Sequence, residues 1–445
     1  MTFQKDKIKA MMMESWAVSW PMTLIMLFIF LIGFCDVYIA GRFGKELQAA
    51  YGLAFQTYFV LNIISAALSV GAVSLISRLY ASRKKSACRE AIDSSLILAA
   101  GAGCIFAAAG FFLAPPVMRI FHVPEGVSLS AVNLLRIYTT GMIFHYLLLN
   151  TNGILRACGM IRKSLVTMSV VALTNIVLNF VLSLKTPLGY KGIALSTVIS
   201  TLAGMLINLR AIRPLIVGPL RFSGNTIKKI LSIGWPAAAL QVFWQLGSMT
   251  LFYILSILPD RNVEIMAAFT NGMRIESAIF LPAFAFNLAN AVVVGNLLGK
   301  GSRDDAFTGG LVTAGVGVGL VTVLTALVVF NARYVAAALS QNEVVIRESM
   351  TYISICFFLE PVMAWSVILG GGLNGAGDTR SVMVIIALSI WLVRVPLSYI
   401  FGIMYGYGAP AVWWSMNASI LTQAVFISRR YFRAQWAAEA QKIIQ

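Results

Sequence analysis

Apolar runs of near twenty residues, separated by short polar stretches, repeat along the whole 445-residue chain. Each run is long enough to cross a bilayer core of roughly 30 Å as a helix. The runs are continuously apolar rather than alternating, which excludes a membrane barrel. Twelve spans are expected, at roughly 17–41, 52–77, 90–113, 131–154, 164–184, 190–211, 231–257, 272–298, 308–331, 347–370, 381–403 and 409–428. The first run follows Lys5, Lys7 and Lys9, as a signal peptide would. It is too long for one, contains Asp36 and lacks a small-residue cleavage site, so it is expected to stay as the first helix.

The pattern is written twice. At a shift of 218 residues, Gly153, Leu155, Gly159 and Arg162 fall on Gly371, Leu373, Gly377 and Arg380. Ala49 and Ala50 fall on Ala267 and Ala268, and the Trp20–Pro21 pair meets Trp235–Pro236 at a shift of 215. Six spans per copy is an even number, so both copies enter the membrane in the same sense. The expected fold is therefore an all-α polytopic membrane protein of twelve transmembrane helices. Its two six-helix lobes are related by a pseudo-twofold axis along the membrane normal, as in transporters built from parallel repeats. The polar stretch between Arg210 and Lys229, with Pro214 and Pro219, reads as the linker. It gives an N-lobe over 1–215 and a C-lobe over 216–445.

Composition agrees: 59% of residues are hydrophobic, mean hydropathy is +0.83, and the 11% that are charged are about half the share of a soluble domain. Lysine and arginine fall unevenly, with 23 on the side that holds both termini and 8 on the other. The positive-inside rule then places both termini in the cytoplasm and the chain in the cell membrane. The formal charge of +17 becomes a collar facing anionic headgroups, with no basic strip of interleaved aromatics for nucleic acid. Five cysteines are scattered without a CxxC and read as apolar filler. His122 and His145 stand alone, read as loop and helix packing, and offer no metal spacing. With no HExxH and no nucleophile–base pair, the chain is not expected to be an enzyme.

Several strings carry a family resemblance. SWPMTLIMLFIFLIGFCDVYIAGRFGKELQAAYGLA (19–54) has a proline, an acid near the far end, two glycines and a small pair. It resembles the first helix and following loop of the multidrug and toxic compound extrusion (MATE) family. NGILRACGMIRKSLVTMSVVALTNIVLN (152–179) and GGGLNGAGDTRSVMVIIALSIWLVRVPLSYI (370–400) resemble that family's repeated helix-loop-helix, and VVVGNLLGKGSRDDA (292–306) the end of its eighth helix. The likeness runs from about residue 15 to 430 and takes in both NorM-like and DinF-like branches. It implies a multidrug efflux antiporter driven by H+ or Na+, working by alternating access and exporting amphipathic, cationic or zwitterionic compounds. The expected partners are that substrate, the coupling cation and the bilayer, with a monomer as the working unit and no other cofactor. A flippase for a lipid-linked precursor, from the same superfamily, is the second reading; several arginines lining its cavity would favour it.

Asp36 is the leading site candidate, because an acid within an apolar span is functional by default. A bare carboxylate there costs a few kcal/mol, a cost that binding a cation relieves. A solvated position at the helix mouth, near Gly41 and Arg42, is the bland alternative. Asn175 and Asn179 are four apart and share a helix face. They suit either cation ligands or interhelical hydrogen bonds. By resemblance the cation-coupling site is Asp36, Asn175, Asn179 and Thr197. The resembled family often has Asp where this chain has Asn179, which weakens the case for tight Na+ binding. Pro21, fifteen residues before Asp36, reads as a conformational kink. No acid lies opposite Asp36 in the second copy, where Leu251–Ile254 fall. That half has Glu276, Glu360 and Arg394 within spans, with a Glu276–Arg394 or Glu360–Arg394 pair expected. Together with Gln241 and Gln245 these residues are the candidate lining of a substrate cavity.

Overall fold

Continuous apolar sequence leaves a backbone no partner but itself, so the chain folds into helices that satisfy their own amides. The computed structural model describes residues 2–120, 123–340 and 342–437, among which there is no strand. His122 lies outside the described residues. In order, the long helices are α1 (Thr2–Arg42), α2 (Lys45–Ala81), α3 (Lys85–Arg119), α4, α5 (Ile161–Leu184), α6 (Lys191–Ile212), α7 (Gly224–Ser256), α8 (Asn262–Gly299), α9 (Arg303–Phe330), α10, α11 and α12 (Gly408–Phe432), with a short helix over Ala332–Leu339 between α9 and α10. Three of them are broken. α4 runs through Glu125–Thr140 and Met142–Ala157, which meet at Gly141 with a 50° bend. α10 is Glu343–Cys356 and Glu360–Ala376 joined by a 3-10 turn at Phe357–Leu359, and α11 begins at Thr379 and carries π-helical stretches at Ser389–Arg394 and Ile400–Met404.

These helices match the twelve expected spans one for one. Ten are long and apolar enough to cross a membrane, and bent α4 makes an eleventh. α12, at 25 residues, reaches about 38 Å. It is long enough to be the twelfth, though Asn417, Gln423, Arg429 and Arg430 make it more polar than the rest.

The sequence repeat has a backbone counterpart. Gly159 and Gly377 both sit at positive φ, +75° and +91°, where a side chain is strained. In both copies the amide one residue later closes back over the helix end: Met160 N–H donates to Leu155 O at 2.7 Å, and Asp378 N–H to Leu373 O at 2.9 Å. The breaks correspond as well. Gly141, the bend in α4, falls at a shift of 218 on Leu359, the end of the 3-10 turn in α10.

The boundary expected at residue 215 is not where the compact units divide. One unit is Leu24–Ala238; the other runs from Ala239 onward and includes the chain up to Thr23. The reason is packing at the starts of α1 and α7. In the first unit the opening turns of α7 lie against α2 so closely that a Cβ on Gly71 would collide with the Ile230 carbonyl, and one on Gly234 with the Ala67 carbonyl. In the second, Lys7 pairs with Asp305 at 2.6 Å and Trp16 packs on Phe286 at 6.4 Å between ring centroids. Each division falls two residues after a proline of the repeat, Pro21 in α1 and Pro236 in α7.

The core of the first unit gathers Ile39, Ala50, Tyr51, Tyr58, Leu134, Tyr138 and Ile193 from α1, α2, α4 and α6. That of the second centres on Phe269, Phe286, Tyr352, Ile368, Trp413 and Tyr431. Gly371 is where α10 meets α8, and a Cβ there would run into the backbone of Asn287. Gly371→Ala should therefore destabilise the protein by about 1–3 kcal/mol, since backbone cannot rotate away. Gly315→Ala, at an exposed helical glycine with open space around it, should stay within about 1 kcal/mol of wild type. Thermal midpoints of the two variants in one detergent compare them; equal midpoints would contradict the close approach.

Candidate functional site

Asp36 sits in α1 with Ile39 and Ala40 buried one turn on, and its own side chain is only 3% exposed. It is not at a solvated helix mouth. Asn179 of α5 donates from Nδ2 to Asp36 Oδ1 at 2.5 Å, and the Tyr51 hydroxyl of α2 lies beside the same carboxylate. Asn179 Oδ1 in turn accepts from Ser183 Oγ at 3.2 Å. One turn before Asn179, Asn175 donates from Nδ2 to Thr197 Oγ1 of α6 at 3.1 Å, and Thr197 donates to the Ile193 carbonyl at 3.3 Å. Asn175 Oδ1 is buried without a hydrogen-bond partner. Among the described residues Asp36 has no basic partner. Nearby Arg42 donates to Tyr38 at 2.9 Å and lies over its ring instead.

The four residues expected in this half thus fall on three neighbouring helices, with Asp36 bonded to Asn179 and Asn175 bonded to Thr197. Sequence reasoning missed Tyr51 and Ser183. Ser183 continues the face of Asn175 and Asn179 at the next i+4 position, so its helix spacing was a usable signal. Tyr51 had none, because its role depends on α2 lying beside α1. Behind the carboxylate, Tyr58 stacks on Tyr138 at 4.9 Å and meets His145 at 5.8 Å. His145 is a packing residue, as expected.

The charged residues of the second unit are arranged differently from expectation. Among the described residues neither Glu276 nor Glu360 makes a direct ion pair with Arg394. Glu276, half-buried on α8, accepts from the Tyr352 hydroxyl at 2.7 Å. Arg394, 7% exposed at the end of a π-helical stretch of α11, donates from Nε to Ser419 Oγ at 2.8 Å. Its guanidinium lies 5.7 Å from the centroid of the Trp244 ring. A hydroxyl and a π face therefore answer the arginine in place of a carboxylate. Glu360 opens the second segment of α10 and is buried. Gln241 and Gln245 are half-buried on α7, and Arg274, two residues before Glu276, points outward.

Glu276, Glu360 and Arg394 thus lie within apolar helices of one unit, and Asp36 within an apolar helix of the other. The MatE family model matches residues 21–181 and 236–400, one stretch in each copy and more than half the chain. The chain belongs to the MatE family. MatE relatives include the uncharacterized transporter YisQ of Bacillus subtilis, 21% identical over 430 residues, with 94% of each chain covered. The probable multidrug resistance protein NorM of Thermotoga maritima is 24% identical over 423 residues, covering 92% of this chain and 90% of that one. Among solved structures, a MOP superfamily transporter from Pyrococcus furiosus superposes with a TM-score of 0.88 at 19% identity, covering 96% of this chain and 97% of that one. A MATE structure described as in the straight conformation gives 0.88 at 20% identity over 97% of both chains. As a MatE protein the chain is a multi-pass membrane transporter.

The Tyr352–Glu276 bond generates a direct test. Tyr352→Phe keeps the ring that packs on Phe269 and Trp413 at 5.9 and 4.9 Å but removes the donor. Leaving this half-buried acceptor unmet should cost about 1 kcal/mol. The thermal midpoint in detergent reads this loss, and an unchanged midpoint would show the bond to be dispensable.

Proposed function

We propose that this MatE protein is a cation-coupled exporter in which uptake of a cation at Asp36 drives the expulsion of amphipathic, cationic organic compounds by alternating access. The reading rests on one observation: a buried carboxylate hydrogen-bonded by a neutral amide, Asn179, beside the Tyr51 hydroxyl, with no basic partner among the described residues. A carboxylate so placed leaves its charge to be met by an incoming cation. The oxygen inventory supports H+ over Na+. Asn179 gives an N–H to Asp36 and accepts one bond from Ser183, so among the amide oxygens of the set Asn175 Oδ1 is the one with no hydrogen bond. A sodium ion in an oxygen cage needs several such ligands, whereas a proton needs one acceptor.

Substrate recognition is assigned to the second unit. Glu276 and Glu360 outnumber Arg394 there, and that local excess of negative charge suits an organic cation. Gln241, Gln245 and the aromatic ring of Trp244 add polar and π contacts, giving loose and therefore broad selectivity. Pro21 is assigned the bend through which occupancy at Asp36 reaches the first part of α1, because it removes one backbone bond from that helix. The protein is further proposed to work as a monomer in the cell membrane with both termini in the cytoplasm, the side holding 23 of its lysines and arginines.

Dye efflux from proteoliposomes under an imposed pH or Na+ gradient tests the coupling. Wild type should respond to the pH gradient, and Asp36→Asn should lose gradient-driven transport by at least about tenfold, the range expected when an essential proton-transfer group is removed. Equal transport by both proteins would rule out the role of Asp36. Ser183→Ala, which removes only a neutral donor to Asn179, should retain most of the flux. A loss as large as that of Asp36→Asn would shift the coupling role away from the carboxylate.

A further inference from the structure

We infer that the turn after α6 binds the phosphodiester of an anionic phospholipid from the cytoplasmic leaflet; the choice of leaflet rests on the orientation proposed above. A hollow of about 520 Å³ opens there, lined by Leu206, Ile207, Leu209, Arg210, Arg213 and Ile216. Arg210 lies in the last turn of α6, and Arg213 opens the 3-10 turn Arg213–Leu215. Both are exposed, and neither guanidinium makes a hydrogen bond or ion pair among the described residues.

The neighbouring arginines behave differently. Arg89 pairs with Asp93 at 3.6 Å and donates to the Pro219 carbonyl, and Arg221 donates to Ser86. The local acids are also engaged: Asp93 accepts the Arg221 backbone amide at 3.0 Å, and Glu90 accepts from Thr226 at 2.7 Å. Among the described residues, therefore, no anion is supplied to Arg210 or Arg213.

The wall of the same hollow is aliphatic, and Leu206 beside it is 56% exposed. Beyond it the irregular segment 216–223 presents Val217, Leu220 and Phe222 at 69, 71 and 60% exposure, outside every membrane-spanning helix. Such side chains on a loop tied down by hydrogen bonds need an apolar medium, which the acyl boundary beneath the headgroups provides. Two forked guanidiniums above an aliphatic wall match one ligand chemistry: a phosphate with hydrocarbon attached. Free phosphate would use the arginines and leave the wall uncovered.

The test uses the full-length protein purified in detergent, with phosphatidylglycerol, phosphatidylcholine and inorganic phosphate as separate probes. Retained lipid is counted by native mass spectrometry. Wild type should retain phosphatidylglycerol well above phosphatidylcholine. Arg210→Gln/Arg213→Gln should weaken that retention roughly thirtyfold, the effect of two basic residues at an anionic surface. Equal retention by the double variant, equal retention of phosphatidylcholine, or competition by millimolar phosphate alone would each overturn the proposal. Neither arginine contacts the Asp36 network, so dye efflux should be unchanged in a neutral-lipid vesicle. Lipid retention in detergent does not depend on orientation. Protease protection of a C-terminal tag in intact cells reads that separately, and a tag found outside would overturn the assignment to the cytoplasmic leaflet.

Discussion

Polar groups inside a bundle of apolar helices have little water to bond, so most are answered by their own helix or by a neighbouring one. The Asp36 carboxylate is the most demanding case, and Asn179 answers it from α5 with the Tyr51 hydroxyl of α2 alongside. Apolar surface alone would let these helices slide, because lipid is as good a neighbour as another leucine. A few directional bonds set the register instead. Asn152 Oδ1 accepts hydrogen bonds from Ser164 Oγ at 2.9 Å and Asn208 Nδ2 at 3.0 Å, joining α4, α5 and α6. In the second unit Asn290 and Asn287 of α8 donate to the Ile368 and Val367 carbonyls of α10 at 2.8 and 2.6 Å. The same requirement that holds the helices together leaves Asp36 with neutral partners only, and the proposed coupling begins from that shortage of positive charge.

The two copies of the repeat keep a scaffold and differ in chemistry. The positive-φ caps at Gly159 and Gly377 correspond, and so do the breaks at Gly141 and Leu359. These are backbone features, and either copy needs them to turn its helices at the same places. Buried charged side chains do not follow the duplication. Asp36 meets only apolar residues in the second copy, and Tyr51 falls on Phe269, which differs by one hydroxyl and packs in an aromatic cluster with Tyr352 and Trp413. Glu276, Glu360 and Arg394 belong to the second copy alone. Duplication thus supplied two equivalent frames, and divergence placed a buried acid without a basic partner among the described residues in one and a mixed set of charges in the other.

Span positions, the repeat and the candidacy of Asp36 were all readable from sequence, because each depends on composition within a short window. A run of apolar residues selects a membrane helix whatever it packs against, and an acid inside such a run needs explaining wherever the helix ends up. Asn175 and Asn179 were readable as one face for the same reason, and Ser183 extends that face by one more turn. Tyr51, Tyr352, Ser419 and Trp244 were not readable. Each meets its partner from a different helix, at separations that no local spacing encodes.

Packing likewise decided what the charges and the boundaries became. The sequence required that Arg394 be answered but did not say by what; the fold brought Ser419 and the Trp244 ring to it and kept both glutamates out of direct contact. A polar linker near residue 215 suggested the end of a lobe, yet the first turns of α7 press on α2 through Gly71 and Gly234, and the start of α1 belongs with the second unit through Lys7 and Trp16. Hydrophobic burial acts residue by residue, so it is legible in order along the chain. Hydrogen bonds and close backbone contacts are short-ranged and directional, so their partners exist only once the helices have been laid side by side.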